Sequence, residues 1–398
     1  MKIVAIIDNA IGAGGGFDQA LNAVLQMQRL CMNRYEFETF TTDQRNVDVL
    51  AQLGVKAEWF KYSFLDRLFA KCVNSVWYQE LQCRLKLIGP LEKKLIARNC
   101  DLVYFVTLSD IPQALQHLNY ITTVWDLCHR DAPEFPEVRN FNTFFIRENL
   151  YRNTFGPAYL VLTDSAALAD LASQRYGVDR DRFLPMPYGS SPFILESSSL
   201  SEESVLAKYE LTPGYFYYPA QFWAHKNHIR ILEALCILRD KHLITPTVVF
   251  SGKDYGNLAW VEAYISKHKL ADQVKILGFV PSIDIRGLYE GAGAVVMPTY
   301  FGPTNLPPLE AWTLGTPLIY SSHLAQAQDA ALLVDADDAE SLADAMRQIN
   351  AQPVREALIA AGKRQLEVIA RKRIEAEDSL STFLDKFEKR RRLWGGYR

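Results

Sequence analysis

The sequence predicts an α/β protein with two doubly wound parallel-sheet domains. At 398 residues the chain is longer than one hydrophobic core usually organises. Short apolar runs rich in Val, Ile, Tyr and Phe alternate with helical patterns in both halves, and such runs are typical of parallel strands buried on both faces. A stretch rich in Ser and Glu, residues 190–214, separates the two series. Strand–helix alternation on both sides of this stretch favours two domains of the same class.

The apolar runs predict five strands in each half. They lie at 2–7, 37–42, 101–106, 120–125 and 158–163, and then at 215–220, 246–252, 274–280, 294–299 and 317–322. We place the first domain at residues 1–195 and the second at 205–375, with a surface loop inside one domain as the alternative for 190–214. Residues 376–398 carry apolar residues at helical spacing before a basic run, which predicts a terminal helix packed on the first domain.

Composition excludes several classes of function. The net charge of −3 gives no general attraction to nucleic acid, so no nucleic-acid partner is expected. No window reaches the roughly 18 apolar residues of a membrane span. The opening residues MKIVAIID fit a buried strand better than a signal peptide, because Asp8 interrupts the apolar run. The six cysteines lack metal-site spacing. A cytoplasmic protein with reduced thiols is therefore predicted.

Glycines follow the first predicted strand, at the edge where open α/β sheets bind ligands. Gly12, Gly14, Gly15 and Gly16 allow close approach of a ligand, and the helix predicted from Phe17 points its first N–H groups towards an anion. A dinucleotide fingerprint is disfavoured because Phe17 stands where that motif requires glycine. A flexible turn without a ligand is the alternative.

Two further motifs follow strands of the second half. Lys226 stands at a strand-to-helix junction, where a cation can pair with a diphosphate, and Asn227 is expected to cap the next helix. Glu310 lies one turn inside the helix predicted at PPLEAWTLG, where a carboxylate can accept hydrogen bonds from a vicinal diol such as ribose. Each residue alone is more often an ordinary surface or first-turn charge. Together with the glycine turn they predict a nucleotide-diphosphate site.

The order of these motifs resembles family 4 of the glycosyltransferases, in particular bacterial mannosyl- and rhamnosyltransferases of polysaccharide synthesis. The resemblance rests on the glycine turn and on TTVWDLCHRDAPEFPE, VLTDSAALADLASQRYGV, PYG, QFWAHKNH, LGFVP and NLPPLEAWTLGTPLI, and it spans nearly the whole chain. It implies a GT-B fold, in which two Rossmann-like domains face a cleft, and sugar transfer from a nucleotide donor with retention of configuration. The first domain would bind the acceptor and the second the donor.

The resemblance also implies roles for individual residues. Lys226 would bind the diphosphate, and Glu310, as the second Glu of a Glu-x(7)-Glu motif, would bind the ribose. The catalytic candidates are Lys226, Asp126 and His129. Asp126 and His129 are the candidates for organising the acceptor side, with a helix-capping Asp and a structural His as alternatives. The implied donor-binding residues are Gly15, Gly16, Gln221, Lys226, Gly252, Phe279, Val280, Thr304, Asn305, Leu306 and Glu310.

The sequence departs from the family pattern at three positions. Gly302 stands at the first Glu of Glu-x(7)-Glu, Gln221 replaces an Arg, and Trp125 replaces a His. Each missing group normally touches the sugar or its phosphates, so the donor stays open, with GDP-mannose favoured and UDP- or dTDP-sugars as alternatives. No cofactor and no metal are expected. A GT-B nucleotide-sugar epimerase and a non-catalytic nucleotide-sugar-binding subunit are the alternative functions.

The expected partners are a nucleotide sugar and a saccharide or polyprenyl-diphosphate-linked acceptor, as in cell-surface polysaccharide synthesis. Residues 59–100 mix aromatic side chains with Lys and Arg, and Phe60, Phe64, Leu68 and Phe69 share one helical face. Basic amphipathic helices bind anionic membranes. With the basic C-terminus, this segment predicts peripheral contact with the inner face of the plasma membrane; ordinary domain packing is the alternative.

Overall fold

The computed structural model describes residues 1–10, 15–73, 75–195, 201–302, 305–324 and 326–394. The chain forms two compact units. The first comprises Met1–Leu127, Phe144–Tyr188 and the segment from Lys372, and the second comprises Cys128–Thr143 and Gly189–Arg371. Residues 128–143, which the sequence predicts in the first domain, belong to the second unit, because Phe135 and Glu137 contact its loops.

The first unit is built on a parallel sheet. Its strands are β1 (Lys2–Ile7), β2 (Glu36–Thr41), β3 (Ala57–Trp59), β4 (Leu102–Phe105), β5 (Asn119–Val124), β6 (Leu160–Thr163) and β7 (Phe183–Pro185). Among the described residues they pair in parallel in the order β3-β2-β1-β4-β5-β6-β7. The central strands are fully enclosed, as shown by Val4, Ile6, Val103 and Phe105. Burial on both faces explains why these runs are almost continuously apolar.

The second unit has the same kind of sheet. Its strands are β8 (Tyr215–Pro219), β9 (Val248–Ser251), β10 (Val274–Ile276), β11 (Ala292–Met297), β12 (Leu318–Ser321) and β13 (Leu332–Val334). Within the described part of the chain they pair in parallel in the order β10-β9-β8-β11-β12-β13. The predicted fold class, two doubly wound parallel-sheet α/β domains, is confirmed.

The helices surround these sheets. In chain order they are α1 (Gly15–Cys31), α2 (Arg45–Gln52), α3 (Phe64–Cys72), α4 (Val76–Leu85), α5 (Pro90–Ala97), α6 (Cys128–Asp131), α7 (Pro136–Arg139), α8 (Thr143–Phe155), α9 (Ala166–Tyr176), α10 (Pro192–Leu195), α11 (Glu202–Lys208), α12 (His228–His242), α13 (Leu258–Lys267), α14 (Ser282–Glu290), α15 (Leu306–Leu314), α16 (Ala339–Gln348) and α17 (Gln352–Arg391).

The last helix begins earlier than the predicted residue 376. From Lys372 onwards it belongs to the first unit, where Leu384 is fully buried. Asp385 accepts two hydrogen bonds from the Arg34 guanidinium at 2.7 and 2.8 Å. Glu388 pairs with the N-terminal ammonium group at 3.3 Å. These contacts tie the end of the chain to the beginning of the first sheet.

Each sheet has one point at which the order of its strands reverses. β1 lies between β2 and β4, and β8 lies between β9 and β11. The connections that leave β1 and β4, or β8 and β11, therefore diverge to opposite faces of their sheet. Ligands of open α/β sheets bind in the crevice that such a reversal opens at the carboxyl ends of the strands.

Candidate active site

Lys226 and Asn305 meet at the reversal point of the second sheet. Lys226 ends the 3₁₀ turn Ala224–Lys226 that follows β8, and Asn305 is the N-cap residue of α15, in the connection that follows β11. The Lys226 ammonium donates to Oδ1 of Asn305 at 3.4 Å. The structure therefore brings together a cation, a neutral amide and a helix N-terminus, a combination that suits an anionic ligand.

The backbone around Lys226 is held by buried hydrogen bonds. The Tyr218 hydroxyl donates to the Lys226 carbonyl at 2.8 Å. The expectation that the Asn227 side chain caps α12 is wrong, since its amide donates to the carbonyls of Pro298 at 3.0 Å and Ala336 at 2.8 Å. Asn227 has a left-handed backbone conformation with φ of 58°, and its buried amide donates to two carbonyls, of which that of Ala336 also accepts from Nε of Arg230 at 3.1 Å.

In the loop after β11, the Asn305 side chain lies where a side chain on residue 302 would begin. Gly302 has φ of 114°, and a Cβ built on it would lie 2.6 Å from Oδ1 of Asn305. The Asn305 amide donates to the Gly302 carbonyl at 2.8 Å and to the Tyr320 hydroxyl at 2.7 Å. The loop is thus built around a glycine at the position where the family pattern has Glu. Thr304, a predicted donor contact, lies outside the described residues.

The helix α15 carries Glu310 into the interior of the second unit. Leu306 begins the helix, and Gly315 ends it with φ of 71°, as its sequence predicts. Glu310 is only 6% exposed. Its Oε2 accepts a hydrogen bond from the Tyr289 hydroxyl at 2.6 Å. Tyr289 belongs to none of the sequence motifs, and its hydrogen bond orients the Glu310 carboxylate.

The ends of β8 and β9 approach each other closely. Gln221 accepts a hydrogen bond from the Lys253 amide, so the residue that replaces the family's Arg supports the neighbouring loop. A Cβ at Gly252 would lie 2.3 Å from the Ala220 carbonyl oxygen, which leaves room for glycine alone.

Phe279 and Val280 follow β10 at the same edge of the second sheet. Phe279 is half exposed and carries the Lys253 ammonium 4.7 Å from its ring centroid, whereas Val280 is buried. Of these two predicted donor contacts, the phenylalanine presents an accessible aromatic face and the valine belongs to the interior.

In the first unit, Gly16 lies beside Trp125, the residue that replaces the family's His. Gly15 and Gly16 begin α1, and a Cβ on Gly16 would lie 3.1 Å from Asn9 Nδ2 and 3.4 Å from the Trp125 indole. The close fit explains a small residue at position 16. Gly12 and Gly14 lie outside the described residues.

Asp126 is held by a residue that the sequence analysis misses. Arg147, on α8, forms an ion pair with the Asp126 carboxylate and donates to the Tyr151 hydroxyl at 2.6 Å. Tyr151 in turn donates to the Asp126 carbonyl at 3.1 Å. Burial alone would lower the pKa of Arg147, but Asp126 and Tyr151 outweigh it and raise that pKa. Nothing in the spacing of TFFIRENLYR identifies Arg147, because its partner is distant in sequence.

His129 lies on α6 in the second unit, whereas Asp126 belongs to the first. The His129 ring is fully buried. This burial agrees with the alternative of a structural histidine.

Asp8 is a second carboxylate that sequence reasoning leaves unassigned. It follows β1, and its two oxygens accept hydrogen bonds from the Tyr62 hydroxyl at 2.8 and 3.0 Å. Burial raises the pKa of Asp8 to about 6, although hydrogen bonds from Tyr62 and Thr42 act in the opposite direction.

The described residues contain no group of three or more His, Cys, Asp or Glu placed to hold a metal ion. Within the same ranges, no helix has both the length and the apolar character needed to cross a membrane. The expectations about cofactors and membrane contact remain predictions.

Comparison with known proteins supports a glycosyltransferase. Residues 205–365 match the family glycosyl transferases group 1. The chain is 24% identical over 247 residues to the O-antigen chain mannosyltransferase B of Escherichia coli, an alignment that covers 61% of this chain and 63% of the relative's length. The matched domain and this relative support the predicted enzyme class, a transferase.

Solved structures show the same fold. The Anabaena protein Alr3699/HepE in complex with UDP-glucose has a TM-score of 0.69 at 16% identity, over 96% of this chain and 100% of that one. A glycosyltransferase from Rickettsia africae ESF-5 has a TM-score of 0.66 at 14% identity, over 95% of this chain and 98% of that one. Identities this low establish the fold alone, and the fold is that of the GT-B glycosyltransferases.

Proposed function

We propose that this protein is a retaining glycosyltransferase that moves a hexosyl or deoxyhexosyl group from a nucleotide-diphosphate sugar to a saccharide or lipid-linked saccharide acceptor in cell-surface polysaccharide synthesis. GDP-mannose is the favoured donor, with UDP- and dTDP-sugars as alternatives. The O-antigen mannosyltransferase among the relatives favours both the sugar and the pathway class. The UDP-glucose bound by the Anabaena structure favours a nucleotide sugar in general.

The observation that carries the proposal is the contact between Lys226 and Asn305 at the reversal of the second sheet. A diphosphate at that edge would meet the Lys226 ammonium and the first amides of α15. Negative charge grows on the leaving phosphate as the glycosidic bond breaks, so fixed positive charge there lowers the barrier. Glu310, one turn further along α15 and oriented by Tyr289, suits the hydroxyls of a ribose.

The proposed reaction needs no protein nucleophile. The bond between the anomeric carbon and the phosphate oxygen breaks, and the acceptor oxygen forms its bond on the same face of the sugar. The acceptor proton goes to the departing phosphate oxygen. Asp126, oriented by Arg147, would receive a hydrogen bond from the acceptor.

The acceptor side also includes a candidate membrane surface on the first unit. Its apolar members are Phe64, Leu65 and Leu68 of α3 with Val76, Trp77, Leu81 and Leu85 of α4, all exposed. Exposed Lys and Arg side chains share these two helices, including Arg67, Lys71 and Arg84. Apolar side chains bordered by basic ones suit an anionic bilayer, where a lipid-linked acceptor resides.

The test is a donor screen. GDP-mannose, UDP-hexoses and dTDP-rhamnose are incubated with the protein and with polyprenyl-diphosphate-linked saccharides, and the product's anomeric configuration is read by NMR. Transfer with retention is expected, and Lys226→Ala should lower it by the equivalent of about 2–4 kcal/mol of transition-state stabilisation. Lys267→Ala, an exposed lysine on α13, is the control. An isomerised donor, or binding without turnover, contradicts the proposal and favours the epimerase or the non-catalytic subunit.

A further inference from the structure

Glu137 contacts the turn that carries Lys226. This carboxylate, on α7, accepts a hydrogen bond from the His225 backbone amide at 3.0 Å, and the same oxygen pairs with Nδ1 of the His225 ring. The Glu137 side chain is 9% exposed and that of His225 is 10% exposed. One buried carboxylate oxygen therefore holds both the backbone and the side chain of the residue next to Lys226.

The aromatic rings of Phe301 and Phe135 pack against the His225 ring. The His225 ring stacks on Phe301 with centroids 3.8 Å apart and planes 12° from parallel. Phe135, two residues before Glu137, packs edge-on against Phe301 at 5.5 Å. The His225 carbonyl accepts from the Tyr300 amide at 2.9 Å. Residues 135–137 thus contact the loop after β8 and the loop after β11 together.

The surroundings of Glu137 favour its ionised form. Burial would raise the pKa of Glu137, but the hydrogen bonds from the ring and the backbone of His225 outweigh that effect and leave the pKa below its usual range. A negative charge beside the Lys226 turn repels a diphosphate through space. Any benefit of Glu137 to diphosphate binding must therefore come from geometry and must exceed this repulsion.

We propose that Glu137 is a positioning residue, which fixes His225 and thereby holds the Lys226 turn in the conformation that binds the donor diphosphate. A turn that is already ordered loses less conformational entropy when the ligand binds, and this smaller loss is the contribution of Glu137 to affinity. The inference rests on the proposed function, because it takes Lys226 as the diphosphate contact. It goes beyond the sequence motifs, which assign no role to residue 137.

The experiment measures the dissociation constants of UDP and GDP by calorimetry. Glu137→Ala removes both hydrogen bonds and the negative charge. Glu137→Gln removes the charge and keeps an oxygen that accepts from the His225 amide. Glu134→Ala removes an exposed carboxylate from the same segment and is the matched control. The variant Lys226→Ala is combined with Glu137→Ala, and circular dichroism verifies that each variant is folded.

The two ways in which Glu137 could act predict opposite changes in diphosphate affinity when the carboxylate is removed. If Glu137 positions the turn, Glu137→Ala weakens diphosphate binding about tenfold, Glu137→Gln recovers most of the affinity, and Glu137→Ala has little further effect once Lys226 is Ala. If the carboxylate acts only through its charge, both Glu137 variants bind UDP or GDP more tightly than the parent, and the inference is wrong.

The same measurements separate this inference from the proposed function. If the parent binds UDP or GDP, and Lys226→Ala weakens this binding but Glu137→Ala does not, the donor site is supported and the role of Glu137 is rejected. A parent that binds neither diphosphate overturns the proposed donor site, and the inference with it. If Glu137→Ala fails to fold, Glu137→Gln decides: binding tighter than that of the parent rejects positioning, and binding equal to or slightly weaker than that of the parent supports it.

Discussion

Gly302 is one of three residues at which this chain departs from the pattern that it resembles. Its φ of 114° is rarely adopted by residues with a side chain, and the Asn305 amide fills the space that a Cβ would take. The same amide contacts Lys226 through Oδ1. The missing Glu and the presence of Asn305 are therefore one coupled arrangement, in which a neutral amide that both donates and accepts replaces a charge.

The first prediction concerns this arrangement. Gly302→Glu should destabilise the fold and lower diphosphate affinity, because it adds backbone strain of about 1–3 kcal/mol and displaces Asn305. Gly256→Glu is the matched control, since Gly256 has φ of 104° and open space around it. The measurements are thermal unfolding and binding of UDP and GDP. Equal losses in the two variants would show that Asn305 does not occupy a required position.

A second prediction at the same scale concerns His228. This ring is fully buried and stacks on Phe222 with centroids 4.5 Å apart. Burial lowers the pKa of His228 to about 3, with a smaller contribution from Lys226. The unfolded chain takes up a proton near pH 6.5, so the stability that neutral His228 contributes is present above pH 6.5 and is lost as the pH falls towards 3. The slope is at most about 1.4 kcal/mol per pH unit.

His228→Phe keeps the aromatic packing and removes the titration. Its free energy of unfolding should therefore fall less than the parent's between pH 6.5 and 4. The difference between the two proteins isolates His228, because Asp8, whose raised pKa acts in the opposite direction, is present in both. His117→Phe, at an exposed position, is the control. Parallel denaturant-derived stability curves for parent and His228→Phe would contradict the assignment.

At the scale of elements, α3 and α4 carry apolar side chains that the first unit does not enclose. Phe64 is 77% exposed and Trp77 is 64% exposed. Exposed apolar patches mark interaction sites, and these two helices follow one another in the chain. The buried residues of the same helices, such as Ala70 and Tyr78, are enough to attach them to the unit.

The third prediction follows from this surface. Phe64→Ser combined with Trp77→Ser should reduce co-sedimentation with vesicles of phosphatidylglycerol and phosphatidylethanolamine, while diphosphate binding stays unchanged. Trp260→Ser removes a 63% exposed tryptophan from α13 in the second unit and is the matched control. The residual binding should fall with salt, since basic side chains contribute about 1 kcal/mol each near an anionic surface. An intact protein that ignores such vesicles at low salt would refute the membrane surface.

At the scale of the whole molecule, the proposed donor contacts lie in one unit. Lys226, Asn305 and Glu310 all belong to the second unit, and so does Glu137. The Asp126–Arg147 pair belongs to the first unit. Ligand binding stabilises the segments that it orders, so the two units should respond differently to a nucleotide.

The fourth prediction is a pattern of hydrogen exchange. Saturating UDP or GDP should slow amide exchange most in residues 223–228 and 305–310, with smaller changes in β1–β3 of the first unit. The reason is that binding energy is spent on ordering the loops that touch the diphosphate. An N-acetylglucosamine control, which lacks the diphosphate, should leave the pattern unchanged. Protection confined to the first unit would move the donor site away from Lys226.

The sequence alone determined the fold class and most of the central elements. β1 has the predicted bounds, and each of the ten apolar runs overlaps a strand, because burial on both faces demands continuous apolar side chains that are visible locally. The strands β3, β7 and β13 were not predicted. Each is three residues long and lies at a sheet edge, where one neighbour is enough and no long apolar run is required.

The tertiary structure alone decided which side chains meet. The pattern of the motifs indicated Lys226 and Glu310, but their partners Asn305 and Tyr289 follow from the order of the strands. The same holds for Arg147 beside Asp126, for Glu137 beside His225, and for Asn227, whose amide turned away from α12 to two distant carbonyls. Periodicity records whether a residue is buried, which is a local property. A hydrogen-bond partner is chosen by loops that the sheet brings together from distant parts of the chain, and no local pattern contains that information.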